Sequence, residues 1–277
     1  MLIDTHAHIN FDAYENDSDE VISKCLENNV WMINIGTNFE TSKKAVEISQ
    51  KYEKGVFAAI GLHPINLDTG LVKIKIDESE GSHFEKEFDF ERYKNLARSK
   101  KVVAIGEIGL DYYWKPKTKR KLELFKEKQK DLFLKQLELA KELNLPVIFH
   151  CRMAHQDLIQ TLQQSNIPTI KGVMHGFVGT TEQLQEYLKM GFYIGFNGII
   201  FKKIEGINFE ELIRETPIEK ILVETDCPYL TPPNFPEERN NPLGVKQVAQ
   251  EIAKIKNLDF EKVAEITTKN AKDLFKL

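Results

Sequence analysis

The 277-residue chain is long enough to bury a large core, and 42% hydrophobic with 29% charged residues is an ordinary globular composition. A formal net charge of −4 excludes a protein that coats nucleic acid through a global basic field. No apolar run approaches the ~20 residues needed to cross a bilayer, and no signal-peptide n-region precedes the first histidines. Three scattered cysteines (Cys25, Cys151, Cys227) suggest no disulfide framework. A cytoplasmic protein with no membrane partner is expected.

In chain order, short apolar runs alternate with segments whose apolar residues recur every three or four positions. Strands are expected at Leu2–Thr5, Val30–Ile35, Val56–Ile60, Val102–Glu107, Val147–His150, Gly172–His175, Phe192–Phe196 and Ile221–Asp226. They are rich in Val and Ile and apolar throughout, as strands buried on both faces of a parallel sheet should be. The clearest helix is Lys119–Leu143, with Leu122, Phe125, Gln129, Phe133, Leu137 and Ala140 along one side. Eight strands alternating with helices predict an α/β fold, a (β/α)8 TIM barrel forming a single domain over 1–277. A doubly wound open sheet is the alternative, but no Gly-x-Gly-x-x-Gly follows the first strand to support it.

In a barrel the chemistry gathers at the carboxyl ends of the strands. His6 and His8 end the first run, His63 follows the third, and Glu107, His150, His175 and Asp226 end the fourth, fifth, sixth and eighth. Residues two apart on a strand share a face, so His6 and His8 present both imidazoles to one side. Burying so many ionisable groups without partners is costly, and a shared cation explains them economically. Imidazoles and carboxylates without a thiolate cluster suit Zn2+, Mn2+ or Mg2+. The donors exceed the needs of one catalytic zinc, so two divalent ions ~3.5–4 Å apart are expected, with Glu107 as bridge and a metal-activated water as nucleophile.

The motifs Asp4-Thr5-His6-Ala7-His8, Gly61-Leu62-His63-Pro64, Gly106-Glu107-Ile108-Gly109-Leu110-Asp111-Tyr112, His150-Cys151-Arg152, Met174-His175-Gly176-Phe177 and Glu224-Thr225-Asp226-Cys227-Pro228 resemble, in this order, those of the TatD family. That family consists of metal-dependent hydrolases of the amidohydrolase superfamily. The resemblance runs from Met1 to the C-terminal helices. It implies a TIM barrel, a divalent-metal site and deoxyribonuclease activity, including 3′-to-5′ exonuclease action on DNA single strands or strand ends. Some members are described as D-aminoacyl-tRNA deacylases, so another metal-dependent ester or amide hydrolase is the alternative. A catalytically silent binding protein is the third reading, disfavoured because every ligand position is filled. The resemblance places His6, His8 and Asp226 around one metal and His150 and His175 around the second, with Glu107 shared. Asp226 is then the candidate general base, its pKa depressed by the cations.

Other residues carry two readings each. His63 lies near the substrate or caps the strand-to-loop turn. Arg152 clamps a phosphate or pairs with Asp157 or groups near Glu107. Arg239-Asn240-Asn241-Pro242 is a loop near the site or a helix-entry turn. Tyr112, Tyr113 and Trp114 stack on bases or cover the barrel mouth. His155 is expected in a helix and exposed, His83 in a polar loop, and Cys151 and Cys227 as packing residues. The stretch 66–84 looks like an exposed hairpin, and the basic run Lys115–Lys130 is expected to guide a polyanion inward. Nothing in the sequence demands more than a monomer.

Overall fold

The computed structural model describes residues 1–74, 78–81, 84–165 and 170–277. Eight strands form one parallel sheet in sequential order: β1 (Leu2–Ala7), β2 (Val30–Ile35), β3 (Val56–Ile60), β4 (Val102–Asp111), β5 (Val147–Arg152), β6 (Gly172–Met174), β7 (Tyr193–Phe196) and β8 (Ile221–Val223). The first and last strands meet through a parallel bridge between Ala7 and Cys227 and through the Asp226 amide, which donates to the His6 carbonyl at 2.8 Å. This is the expected (β/α)8 barrel. Around it stand α1 (Ser18–Glu27), α2 (Phe39–Gln50), α3 (Phe90–Leu96), α4 (Lys119–Leu143), α5 (His155–Gln164), α6 (Thr181–Lys189), α7 (Phe209–Glu215), α8 (Val245–Lys256) and α9 (Phe260–Phe275). None of the described helices is long and apolar enough to cross a membrane.

Period-two alternation divides the buried apolar residues into two clusters. The larger packs the outer strand faces against the helices. The smaller takes Ile3, Ile33, Ala59, Val103, Ile148, Val173 and Leu222 from every strand but β7, joined at one end by Leu274 and Phe275 of α9. His150, His175 and Glu224 each lie two residues beyond a member of that inner row, so the pleat that fills the barrel also aims the polar side chains at its mouth.

Strand ends differ from expectation where the ladder overrides composition. β4 runs four residues past Glu107, because Gly109, Leu110 and Asp111 pair with His150, Cys151 and Arg152 of β5. β8 stops at Val223, since Asp226 adopts φ +58°, a left-handed turn conformation that Asp tolerates better than most residues. Among the described residues of 66–84 there is no hairpin. Leu71 and Val72 pack against the core, and Leu67 bridges Glu85 in parallel instead. His83, Lys75 and Ile76 lie outside the described residues.

Helix α4 has the expected bounds and ends at Asn144, which turns left-handed at φ +51°. Its buried stripe contains two glutamines that a hydrophobic core would not tolerate unpaired. Each completes the backbone of a strand end. Gln129 accepts from the Asp111 amide at 2.9 Å and donates to the Asp111 carbonyl at 3.0 Å. Gln136 does the same for Leu62, at 2.7 and 2.9 Å. The helix thus fixes the chain beside His63 and at Asp111. Gln136→Leu strands a buried donor and a buried acceptor, so urea denaturation should show a loss of about 2 kcal/mol or more. Unchanged stability would remove the glutamine from the scaffold's supports.

Candidate metal centre

Glu107 lies buried at the centre of the mouth. His150 Nδ1 stands 2.6 Å from its Oε1, with His175 Nε2 at 3.5 Å and His63 Nε2 at 3.7 Å, while His6 Nε2 is 3.5 Å from Oε2. Burial alone would raise the Glu107 pKa. The surrounding imidazoles, His63, His175 and His150 foremost, instead hold it well below the usual carboxylate range.

His6 lies in a register shift of β1 between Asp4 and Ala7 and His8 directly follows the strand, their Nε2 atoms 3.2 Å apart. The buried Asp4 side chain holds this corner together. It accepts from the His6 amide at 3.1 Å and from the Thr225 amide and hydroxyl at 2.9 and 2.5 Å. Asp226 is thereby brought against β1, its Oδ1 3.3 Å from His8 Nε2 and 3.7 Å from His6 Nε2. Burial works against the Asp226 carboxylate, but His8, His175 and His6 lower its pKa.

In four of these rings a partner on the second nitrogen fixes what the other can do. His8 Nδ1 lies 3.0 Å from the Ile35 carbonyl, which can only accept, so its Nε2 presents a lone pair to the centre. His175 Nδ1 faces Glu224 Oε1 at 2.8 Å, and the Gly176 amide donates to the same oxygen at 2.6 Å. Gly195 is required here, since a Cβ at that position would sit 2.3 Å from Glu224 Oε2. His150 Nε2 faces Asp111 Oδ2 at 3.1 Å. His63 differs. Its Nδ1 accepts from the Ile65 amide at 3.1 Å, capping the short 3-10 turn Pro64–Asn66, so the proton resides on Nε2, aimed at Glu107. His63 therefore caps the strand-to-loop turn, as one of its two sequence readings has it, and also lines the mouth.

The donor chemistry fits divalent metal. His150 has carboxylate oxygens at both ring nitrogens. Burial opposes its charge, yet Glu107 and Asp111 raise its pKa to about 9. Burial likewise opposes a charge on His175, while Glu224 and Glu107 push it up to about 10. Positive charge is demanded between these rings and Glu107, and a bound cation meets the same demand. Burial, then His175, lowers the His6 pKa, and His6 Nδ1 is buried with no hydrogen-bond partner among the described residues. Possible ligand atoms of His6, His8 and Asp226 lie within 4.8 Å of one another, as do those of His63, Glu107 and His150, and those of His6, His175 and Glu224. In the second set His63 presents a proton; in the third Glu224 Oε1 faces His175 and accepts from Gly176, while its Oε2 is buried with no hydrogen-bond partner among the described residues. His6, His8, Asp226, Glu107, His150 and His175, the six that the resemblance names as ligands, are thus brought together at this centre.

His8, Glu107, His150, His175 and Asp226 line a cavity of about 680 Å3 that also receives Trp114, Arg152, Tyr229 and the loop acids Glu78 and Glu80, with His6 buried beneath it. Arg152 is exposed, and its guanidinium stacks 3.7 Å from the centre of the Tyr113 ring. It makes no ion pair with Asp157, which is taken by Lys126 at 3.0 Å and Lys130 at 3.2 Å. Tyr112 is buried, whereas Tyr113 and Trp114 are exposed at the rim. Arg239 binds Asp17 and the Ala13 carbonyl and lies over the Tyr14 ring, away from the cavity. Asn240 ties Tyr229 in place at 2.6 Å, and Asn241 caps the turn that leads into α8. His155 is buried, not exposed: Val178 O lies 2.9 Å from Nε2, and the Tyr187 hydroxyl lies 2.9 Å from Nδ1. The loop after β6 covers this face of α5, which helical periodicity alone does not reveal.

Sequence reasoning gave no role to Asp111, Glu224 or Glu80. Glu224 was findable, because it stands two residues from both Leu222 and Asp226 on the inward row. Asp111 was hidden by the early strand end. Glu80 enters from an irregular loop and accepts from Thr37 Oγ1 and from Asn66 Nδ2.

A (β/α)8 barrel whose mouth gathers imidazoles around a buried carboxylate is that of a metal-dependent hydrolase. The chain belongs to the TatD related DNase family, whose model matches residues 3–276. It is 39% identical, over the full length of both chains, to the uncharacterized metal-dependent hydrolase YabD of Bacillus subtilis. It is 32% identical to a 3′-5′ ssDNA/RNA exonuclease TatD of Shigella flexneri, covering 99% of this chain and 98% of that one. The crystal structure of YJJV, a TatD homolog from Escherichia coli K12, superimposes with a TM-score of 0.80 at 28% identity, covering 100% of this chain and 98% of that one.

In the metal-free chain His150 and His175 carry protons at neutral pH, whereas a metal needs their lone pairs. Binding should therefore release protons, and apparent affinity should climb as pH rises from 6 toward 9. Calorimetric titration with Zn2+ in two buffers of different protonation enthalpy measures the release. Proton-neutral binding would contradict the raised pKa values.

Proposed function

We propose that this chain, acting as one domain, is a phosphodiesterase that removes nucleotides from the 3′ end of single-stranded DNA with two divalent ions. The observation that carries the reading is the ring of inward-facing donors around Glu107. The ions would be held by His6, His8 and Asp226 and by His150 and His175, with Glu107 shared. Mg2+, Mn2+ and Zn2+ all suit this nitrogen and oxygen set. When bound, they supply Lewis acidity toward phosphate oxygens and acidify water. Asp226 Oδ1 takes the proton of the attacking water, being ionised and open to the cavity. Neutral His63, its pKa lowered to about 3 by burial and by His150, donates its Nε2–H to a phosphate oxygen. Arg152 presents a planar fork to a second phosphate oxygen.

The nucleic-acid assignment rests on the family and on the exonuclease relatives. It is supported by Lys117, Lys119, Arg120 and Lys121, all exposed just past Trp114 and without ion pairs among the described residues. Three free cysteines suit a reducing cytoplasm, and we propose a cytoplasmic monomer.

Stripped protein given Mg2+, Mn2+ or Zn2+ should shorten 5′-labelled single-stranded DNA stepwise, and Glu107→Ala and Asp226→Ala should each abolish the shortening. Cleavage of an aminoacyl ester with DNA untouched would overturn the phosphodiesterase reading and keep the site. Neutralising Lys117, Lys119, Arg120 and Lys121 together should weaken DNA binding and flatten its dependence on salt, by about 0.7 in log–log slope for each lost phosphate contact. An unchanged slope would return those residues to an ordinary solvated helix face.

A further inference from the structure

Beside the catalytic mouth opens a second cavity, also of about 680 Å3, which shares His150, Arg152, His175, Asp226 and Tyr229 with the first. Its remaining wall is mainly apolar, with His155, Asn197 and the exposed Glu205 as its polar members. Met153, Val178, Ile199, Ile204, Ile207 and Leu230 come from the chain after β5, β6, β7 and β8. Val178 and the three isoleucines rest partly buried on the core, while Met153 is 64% exposed. An open apolar wall continuous with a charged centre marks a ligand surface, since nothing in folding alone favours leaving it wet. Its volume lies within the ~300–1,000 Å3 of small-molecule sites.

Arg152 stands on the divide. Its guanidinium lies against Tyr113, which lines the apolar side, and it makes no ion pair among the described residues. A phosphate held there has the polar donors on one side and the apolar bay on the other. A nucleotide has the same polarity, with an anionic phosphate one sugar away from a flat, largely apolar base. Asn197, a polar group of the bay, is committed internally: its Nδ2 lies 3.4 Å from Glu224 Oε1 and its Oδ1 accepts from the Ile199 amide at 3.0 Å. Buried as well as engaged, it offers no open edge to a base.

We propose that this bay holds the nucleobase flanking the phosphodiester under attack, gripped between Tyr113 and the isoleucine wall. The grip is by surface contact, so it accepts every base and discriminates only against a missing one. The proposal rests on the phosphodiesterase reading and adds to it a base-binding subsite.

The test compares kcat/KM for a 5′-labelled single-stranded oligonucleotide with that for two versions, each carrying a tetrahydrofuran abasic residue on one side of the first cleaved bond. One abasic version should be cleaved about 10-fold more slowly or worse, as expected for one lost stacking contact. Changing the identity of the intact base should alter the rate far less. Ile204→Asp, and Met153→Asp at an exposed position where folding is not at stake, should bring the intact-to-abasic ratio toward one. Equal rates on intact and abasic strands by the unaltered enzyme would overturn the subsite while leaving the nuclease standing. So would variants that slow both substrates and preserve the ratio. No metal-dependent cleavage of any strand would overturn the phosphodiesterase reading, and the subsite with it.

Discussion

A buried carboxylate surrounded by imidazoles is the constraint on which this molecule is organised. Glu107 sits inside β4 with four histidine nitrogens between 2.6 and 3.7 Å away. An isolated anion at that depth would cost several kcal/mol, so the neighbouring strands must deliver compensating groups to one point. Parallel strands closed into a barrel do this directly, because each inward row ends at the same mouth. What distinguishes the rings is their outer hydrogen bonds. A carbonyl behind His8, carboxylates behind His150 and His175, and an amide behind His63 give neighbouring imidazoles different roles.

The scaffold sacrifices simplicity to hold this arrangement. Asp4 is buried, and burial raises its pKa against the pull of the Thr225 and His6 donors. Yet it is the group that joins the end of β1 to the turn bearing Asp226. Gln129 and Gln136 occupy core positions of α4 where leucine would pack more simply, and each substitutes for a missing strand neighbour at the rim. Polar groups are thus buried where they fix the direction of a strand end, while the inner row between the strands is aliphatic up to Phe275 of α9.

Much of this was legible in the sequence. The strand count, the bounds of β2, β3 and α4, and the inward direction of the histidines follow from periodicity that tertiary structure did not override. Boundaries failed where pairing rather than composition decides them. The extra pleats of β4 hid Asp111, and the left-handed turn at Asp226 shortened β8. His155 was misjudged because the loop that buries it is distant in sequence. The apolar bay was invisible for a related reason: its walls come from separate loops, and no single segment carries a pattern.

The central claim is that Glu107 is the shared ligand of a pair of divalent ions. It is tested most directly by counting metal per chain after equilibration with Mn2+ or Zn2+, in the unaltered protein and in Glu107→Gln, whose folding is checked by circular dichroism. The account predicts two ions in the first and at most one in the second. Two ions retained without the carboxylate, or a single ion at saturation in the unaltered chain, would contradict it.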